Sequence, residues 1–205
     1  MKQEGKTMNK KRQQSEQTKA RLAEAARSLF AQKGFKATSI EDIVAATGSS
    51  KGNIYYHFQS KEGLFRYLLD EWYEEWSEQW DAKQGNYTTV VDKLYGLVER
   101  LVVDDLNHPL SKAMDEFLST ELESNDVQQV VAGYMDEHLR FNRELLQEGM
   151  DKGELQQGNA EELAIILEAT LMGLAEMAKR LPQADALVMH RKAIEVFLQG
   201  TLKRD

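Results

Sequence analysis

The sequence predicts an all-α fold, and three observations support that class. Only two prolines, Pro109 and Pro182, occur in 205 residues. Apolar residues recur at the three- and four-residue spacing of a helix face nearly throughout, whereas the period-two alternation of strands is absent outside short runs. Glycines and small polar residues separate these segments, as is typical of helix ends.

Charge is distributed unevenly along the chain. Residues 1–69 hold 13 Lys/Arg and 6 Asp/Glu, whereas residues 70–205 hold 13 Lys/Arg and 28 Asp/Glu. The formal net charge of −8 therefore combines a basic third with an acidic remainder. We expect only the basic third to meet a polyanion, because the acidic part would be repelled by it.

Composition also excludes several kinds of site. The chain has no cysteine, so disulfides and cysteine-based zinc sites are excluded. Its first 19 residues lack the apolar stretch that a secretory signal peptide contains. The longest strongly apolar run, residues 163–177, is interrupted by Glu168 and Glu176, which argues against a membrane span. We therefore expect a cytoplasmic protein without membrane contact, cofactor or metal.

The basic third begins with a tail and one helix. Residues 1–16 are polar and without periodicity, which predicts a flexible basic tail. The following segment places apolar residues on one helix face over about residues 17–33 and ends at Gly34.

Two short helices follow. The first ends at Thr47-Gly48, and the second covers about residues 50–57 with Ile54 and Phe58 inward. Their predicted caps are Thr38 or Ser39 and Ser49 or Ser50, and Ser60 caps a longer helix from Lys61 to about Ala82. Helices of fewer than ten residues stabilise themselves poorly, so a pair joined by a tight glycine turn indicates a helix-turn-helix that presents its second helix to DNA.

The second short helix carries the polar groups that such a role requires. Its sequence with the preceding serine is SSKGNIYYHF, residues 49–58. Serine hydroxyls and backbone N–H groups at a helix start suit a phosphate. Lys51 can reach a phosphate or a guanine edge, and Asn53 can pair with adenine. The alternative is that the tyrosines are ordinary interface aromatics and that His57 packs locally.

These residues carry a family resemblance. The stretch TSIEDIVAATGSSKGNIYYHFQSKEGLF, residues 38–65, resembles the DNA-binding signature of the TetR family of bacterial transcriptional regulators, and AARSLFAQKGFKAT before it matches that family's first helix. The resemblance covers about residues 18–66. It implies DNA contacts by Thr38, Ser39, Ser50, Lys51, Gly52, Asn53, Tyr55, Tyr56, His57 and Lys61. Two departures, Ser49 where many members are apolar and Asn53 where alanine is common, bear on which operator is bound.

The resemblance also implies the domain organisation. It places a helix-turn-helix domain at residues 17–66 and a helical ligand-binding and dimerisation domain at residues 67–205. The family forms homodimers on partly palindromic operators. Five further helices are predicted at about residues 88–104, 110–122, 126–152, 159–180 and 183–202.

A tryptophan stripe follows the DNA-binding segment. Trp72, Trp76 and Trp80 share one helix face, which usually means core packing. The alternative is a ligand cavity, because flat rings flanked by carboxylates suit flat or cationic molecules. A second resemblance, to the multidrug-binding efflux-pump repressors of this family, favours a small lipophilic or aromatic inducer. It implies contacts by Trp76, Asp105, His108, Ser111, Phe117 and Met172.

The last two predicted helices are expected to form the dimer. Both offer apolar residues at helical spacing, and Ala169 and Gly173 permit close helix approach. Paired with their two-fold mates they would form a four-helix bundle. The alternative is that these residues serve the intramolecular core.

Three functions follow from these patterns. The leading hypothesis is a ligand-responsive repressor. The second is a DNA-binding regulator controlled by a protein partner or by nothing. The third, an all-helical enzyme, is disfavoured because the sequence has neither a phosphate loop nor a dinucleotide fingerprint, and its scattered histidines form no HExxH motif. Those histidines are His57, His108, His138 and His190.

Overall fold

The structure is a computed structural model that describes residues 2–121 and 125–201, with side chains for 11–119 and 132–201. All regular elements in the described residues are helical, so the predicted all-α class is confirmed. The α-helices are α1 Lys2–Ala37, α2 Ile40–Thr47, α3 Lys51–Phe58, α4 Lys61–Gln84, α5 Val90–Arg100, α6 Ser111–Glu121, α7 Asn125–Asp151, α8 Ala160–Ala178 and α9 Gln183–Thr201. A π-helical segment, Leu101–Asp105, continues α5. The predicted helix ends at residues 122 and 202 lie outside the described part.

Helix α1 differs most from the prediction. It begins at Lys2 and so includes residues 2–16, which the sequence predicts as a flexible tail. Lysine, glutamine, glutamate and arginine dominate that stretch and are good helix formers, although they supply no apolar face. The helix is interrupted at Gly34 (φ 83°, ψ 174°), where the predicted helix ends.

Contacts divide the chain into two compact units. The first contains Met1–Trp80 and Lys112–Thr120, and the second contains Asp81–Ser111 and Glu121–Asp205. The first unit is therefore larger than the predicted domain at residues 17–66, since it takes in most of α4 and of α6.

An aromatic cluster forms the core of the first unit. The Phe35 ring packs against three other phenylalanine rings. Its centroid lies 5.7 Å from that of Phe30, 5.1 Å from that of Phe65 and 5.0 Å from that of Phe117. All four rings are at most 2% exposed. Phe117 belongs to α6, so the packing of its ring joins α6 to α1 and α4.

The second unit is a helical bundle. Helix α7 packs on α8, and α9 packs on α5 and α8. Two buried polar side chains meet in the α7–α8 contact: Glu168 accepts a hydrogen bond from Asn142 at 2.8 Å, and its carboxylate also lies 3.0 Å from the Nδ1 of His138. At the start of α8, the Asn159 side chain accepts hydrogen bonds from the Glu161 and Glu162 N–H groups and so caps the helix.

Exposed apolar side chains line α8 and α9 on the surface of the second unit. They are Ile165, Ile166, Met172, Met177, Val188, Met189 and Val196, each about half exposed or more. Gly173 lies on the same face of α8. A Cβ added there would meet no described atom within 4 Å, so the surface beside it is open. We refer to these residues as the α8–α9 apolar face.

Candidate nucleic-acid interface and ligand residues

Local capping fixes the two short helices. Ser39 and Asp42 form a capping box at the start of α2, in which the Ser39 hydroxyl accepts from the Asp42 N–H at 3.1 Å. Gly48 ends α2 in the left-handed conformation and donates its N–H to Val44 O at 2.9 Å. Ser50 then caps α3 by accepting from the Asn53 N–H at 3.3 Å. The turn between the helices is thus held by backbone and cap hydrogen bonds.

Helix α3 has one buried and one exposed face. Ile54 is fully buried and Phe58 is 5% exposed. Between them, the two tyrosines are exposed, with Tyr55 at 52% and Tyr56 at 77%. Lys51, Gly52 and Asn53 are also exposed at the start of the helix. Helix α3 therefore presents two phenol rings, an amide and an ammonium group to solvent.

One hydrogen bond and one ring contact further order this surface. The Asn53 amide donates to the Ser49 hydroxyl at 3.0 Å. The half-buried His57 ring packs edge-on against Tyr56, with centroids 4.9 Å apart.

An ion pair links α3 to α2. The Lys51 ammonium is paired with the carboxylate of Glu41. This hydrogen bond raises the pKa of Lys51 and lowers the pKa of Glu41. The sequence places Glu41 in the first turn of α2, where the helix dipole favours it, but gives no signal for its contact with Lys51, which depends on how the two helices are folded together.

The side chain of Thr38, one of the predicted DNA contacts, is buried within the first unit. Thr38 is 1% exposed, and its hydroxyl donates to Gly34 O at 2.8 Å. Its role is to close the bend between α1 and α2.

Lys61 also serves that bend. Its ammonium donates to Phe35 O at 3.0 Å and to Thr38 O at 3.2 Å, and it lies 4.1 Å from the centre of the Phe35 ring. An ammonium has three N–H donors, so two of those of Lys61 are already used inside the protein.

Glu116 of α6 completes the support of the bend. Its carboxylate accepts the Lys36 N–H at 3.0 Å. It covers Gly34 so closely that a Cβ there would lie 2.4 Å from Oε2. This role is not predictable from the sequence, because the hydrogen bond joins residues 80 positions apart.

The six candidate ligand residues are distributed over both units. In the first unit, Trp76 lies in a stack on α4, 6.3 Å from Tyr73 and 6.0 Å from Trp80 between ring centroids. Phe117, in the same unit, is a core residue packed on Phe35 and Phe65.

The other four lie in the second unit. Asp105, His108 and Ser111 are brought together by a turn, in which the Ser111 hydroxyl donates to Asp105 O at 2.9 Å. His108 Nδ1 accepts from the Leu110 N–H at 3.3 Å. Met172 is 51% exposed and belongs to the α8–α9 apolar face.

Within the described residues, no group of three or more His, Asp or Glu side chains is arranged to hold a metal ion. In the same part of the chain, no helix has the length and apolarity needed to cross a bilayer.

Two family models match the chain. Residues 22–68 match the model of bacterial regulatory proteins of the tetR family. Residues 72–203 match the model of the C-terminal region of QacR-like proteins. Together they cover both the helix-turn-helix and the helices that follow it.

Individual relatives agree with these models. The chain is 26% identical to the HTH-type transcriptional regulator QacR of Staphylococcus aureus over 90% of this chain and 98% of the relative. It is 27% identical to the regulator TtgR of Pseudomonas putida, over 84% of this chain and 85% of that one. Both relatives are transcriptional regulators and not enzymes.

Solved structures show the same fold. A TetR transcriptional regulator from Chloroflexus aurantiacus superposes with a TM-score of 0.72 at 28% identity, over 93% of this chain and all of that one. A transcriptional regulator from Saccharomonospora viridis, solved with choline, gives a TM-score of 0.76 at 20% identity over 92% of this chain and 100% of the other. The chain therefore belongs to the TetR family of bacterial transcriptional regulators.

Proposed function

We propose that the chain is a ligand-responsive repressor that binds a partly palindromic operator as a homodimer. The observation that carries the proposal is the exposed polar face of α3, on which Lys51, Asn53 and Tyr55 stand outward while Ile54 is buried. In a helix-turn-helix dimer, two such helices about 34–36 Å apart enter successive major grooves. The phosphate contacts come from Ser50, Lys51, Tyr56 and His57, and the base contacts from Asn53 and Tyr55.

The distribution of charge supports this assignment. The basic residues are concentrated in the first 69 positions, where the candidate interface lies. Every phosphate contacted by a cation releases counterions, so operator affinity should fall steeply as salt is raised.

The inducer that we propose is a small lipophilic or aromatic molecule that can carry a positive charge. The Tyr73–Trp76–Trp80 stack supports it, because aromatic faces attract organic cations. Carboxylates flank the stack in the sequence DEWYEEWSEQWD, residues 70–81. The choline, a quaternary ammonium ion, bound by the Saccharomonospora neighbour is consistent with this class. Trp76 and Asp105 are the leading candidates for contact with the inducer. Further candidates are His108, Ser111, Phe117 and Met172.

Release of the operator follows from a difference in the affinity of the inducer for two shapes of the dimer. An inducer that prefers a dimer shape with the wrong spacing of the α3 helices draws the population away from DNA. A preference of about 100-fold shifts that equilibrium by roughly 2.7 kcal/mol.

The DNA half of the proposal is tested by selecting operators from a random duplex library with the purified protein. We expect one palindromic sequence to be enriched and Lys51→Ala to weaken its binding. Lys152→Ala is the matched control, because Lys152 is also an exposed lysine paired with a glutamate, but lies in the second unit. An unenriched library would overturn the proposed function.

The ligand half is tested by tryptophan fluorescence, since all three tryptophans lie on α4. Lipophilic cations, planar aromatics and fatty acyl compounds are titrated into the protein and into its operator complex. We expect a cation or planar aromatic to quench fluorescence and to release DNA, and Trp76→Phe to weaken this response more than Trp72→Phe. Tight operator binding without any response would favour a regulator controlled by a protein partner.

A further inference from the structure

The two DNA-reading helices carry no excess of positive charge. Residues 38–59, which hold α2, the turn and α3, contain one basic residue, Lys51, and two acidic ones, Glu41 and Asp42. The basic residues of the first unit lie outside this segment, mainly on α1 and at the start of α4. The electrostatic contribution of α3 to DNA binding therefore depends on Lys51.

The two acids of this segment have different roles. Asp42 belongs to the capping box and is also bonded to Lys33 at 3.1 Å. Glu41 takes no part in the capping box, and its carboxylate is paired with Lys51. Both members of the Glu41–Lys51 pair are largely exposed, with side chains at 64% and 57%. The pair thus lies on the surface proposed to face DNA.

We propose that Glu41 is a positioning residue that limits DNA affinity by holding the Lys51 ammonium away from the phosphates. This inference rests on the proposed operator binding. When the protein binds DNA, Lys51 must leave Glu41 before it can reach a phosphate. The free energy of opening the pair is then subtracted from the free energy of binding.

The size and salt dependence of the effect follow from exposure. An exposed ion pair is weak and is screened by salt. Removing the Glu41 charge should therefore tighten binding by a few-fold at low salt and by less at high salt. Because the freed Lys51 contacts a phosphate, the slope of log K against log salt should steepen by up to about 0.9, the value for one phosphate contact.

The test measures the affinity for the selected operator and for a scrambled duplex at several salt concentrations. Glu41→Gln is expected to tighten binding to both duplexes about two- to five-fold near 0.05 M salt. Glu24→Gln is the charge-matched control, because Glu24 is an exposed acid on α1 beside Arg27. It should leave affinity within the experimental error.

A second background separates an effect through Lys51 from direct repulsion between Glu41 and DNA. In Lys51→Ala, the further change Glu41→Gln should no longer tighten binding. An equal gain in that background, or no gain in the wild-type background, would overturn the inference. These results are distinct from failure of the proposed function, in which the unsubstituted protein would select no operator.

Discussion

At the scale of single residues, Gly34 and Gly52 of the first unit differ in whether the fold leaves room for a side chain. Gly34 adopts a φ of +83° beneath the Glu116 carboxylate, so the fold itself requires it. Gly52 lies in the first turn of α3, and a Cβ there would meet only the Ser50 hydroxyl, at 3.7 Å. Within the described residues, no atom excludes a side chain at Gly52. The proposed approach of DNA to α3 supplies a physical reason for a glycine at this position.

Gly52→Ala should therefore separate stability from function. Alanine is favoured over glycine inside a helix by about 0.5–1 kcal/mol, so the melting temperature should stay the same or rise. Operator affinity should fall, because the methyl group would enter the space proposed for the DNA backbone. Calorimetry and fluorescence anisotropy measure the two quantities, with Gly133→Ala as a control in an open helical position of the second unit. An unchanged affinity would contradict the placement of DNA against Gly52.

Asp42 gives a prediction about pH. Hydrogen bonds from the Ser39 N–H and hydroxyl, and then from Lys33, lower the pKa of Asp42 to about 2. Its ordinary value is near 3.9, so its contribution to stability is complete above pH of about 4 and is lost as pH falls through 2. The difference in melting temperature between the protein and Asp42→Ala should therefore be constant from pH 7 to about 4 and shrink below it. A difference that persisted unchanged at pH 2 would show that the carboxylate charge is not what stabilises the capping box.

At the scale of elements, the sequence predicts what is local and misses what is distant. The helix-turn-helix was predictable because Ser39, Gly48 and Ser50 are cap and turn residues at the required spacing. For α5 to α9, the predicted helix ends that fall in the described residues lie within a few residues of the observed ones. The sequence did not predict that α6 belongs to the first unit, because Glu116 and Phe117 contact residues of α1 that lie about 80 positions earlier in the chain. An apolar residue in an amphipathic helix does not reveal which partner it packs against.

The packing of α6 leads to a prediction about Phe117. Its ring is 2% exposed and contacts Phe35 and Phe65, so Phe117→Ala should cost about 3–5 kcal/mol of stability. Hydrogen exchange should show the loss of protection in α1 and α4 as well as in α6. Leu118→Ala is the control on the same helix, where the side chain is only half-buried. A stability loss no larger than that of Leu118→Ala would mean that the aromatic cluster can close over the missing ring.

At the scale of the whole molecule, the distribution of charge bears on DNA binding, and the α8–α9 apolar face bears on dimer formation. The acidic remainder of the chain is unsuited to contact DNA, and yet its last two helices expose seven large apolar side chains. Exposed apolar patches of this kind mark interaction surfaces. A two-fold axis through this face would pair α8 and α9 with their mates and bring two DNA-binding units to one operator. Homodimers are typical of the TetR family, which makes a second copy of this chain the expected partner.

Val196→Arg tests this assembly. Its side chain is 59% exposed on α9, so the arginine should leave the isolated subunit folded but place two charges against each other in the dimer. We expect sedimentation equilibrium to show a shift to monomer, and operator affinity to fall by at least an order of magnitude because each monomer engages only one half-site. Val103→Arg is the matched control, since Val103 is 50% exposed in the π-helical segment, which packs on α9 but is not part of the α8–α9 apolar face. If Val196→Arg remained a dimer with full affinity while circular dichroism confirmed its fold, the interface would have to lie on another surface, and the link between the α8–α9 apolar face and operator binding would be lost.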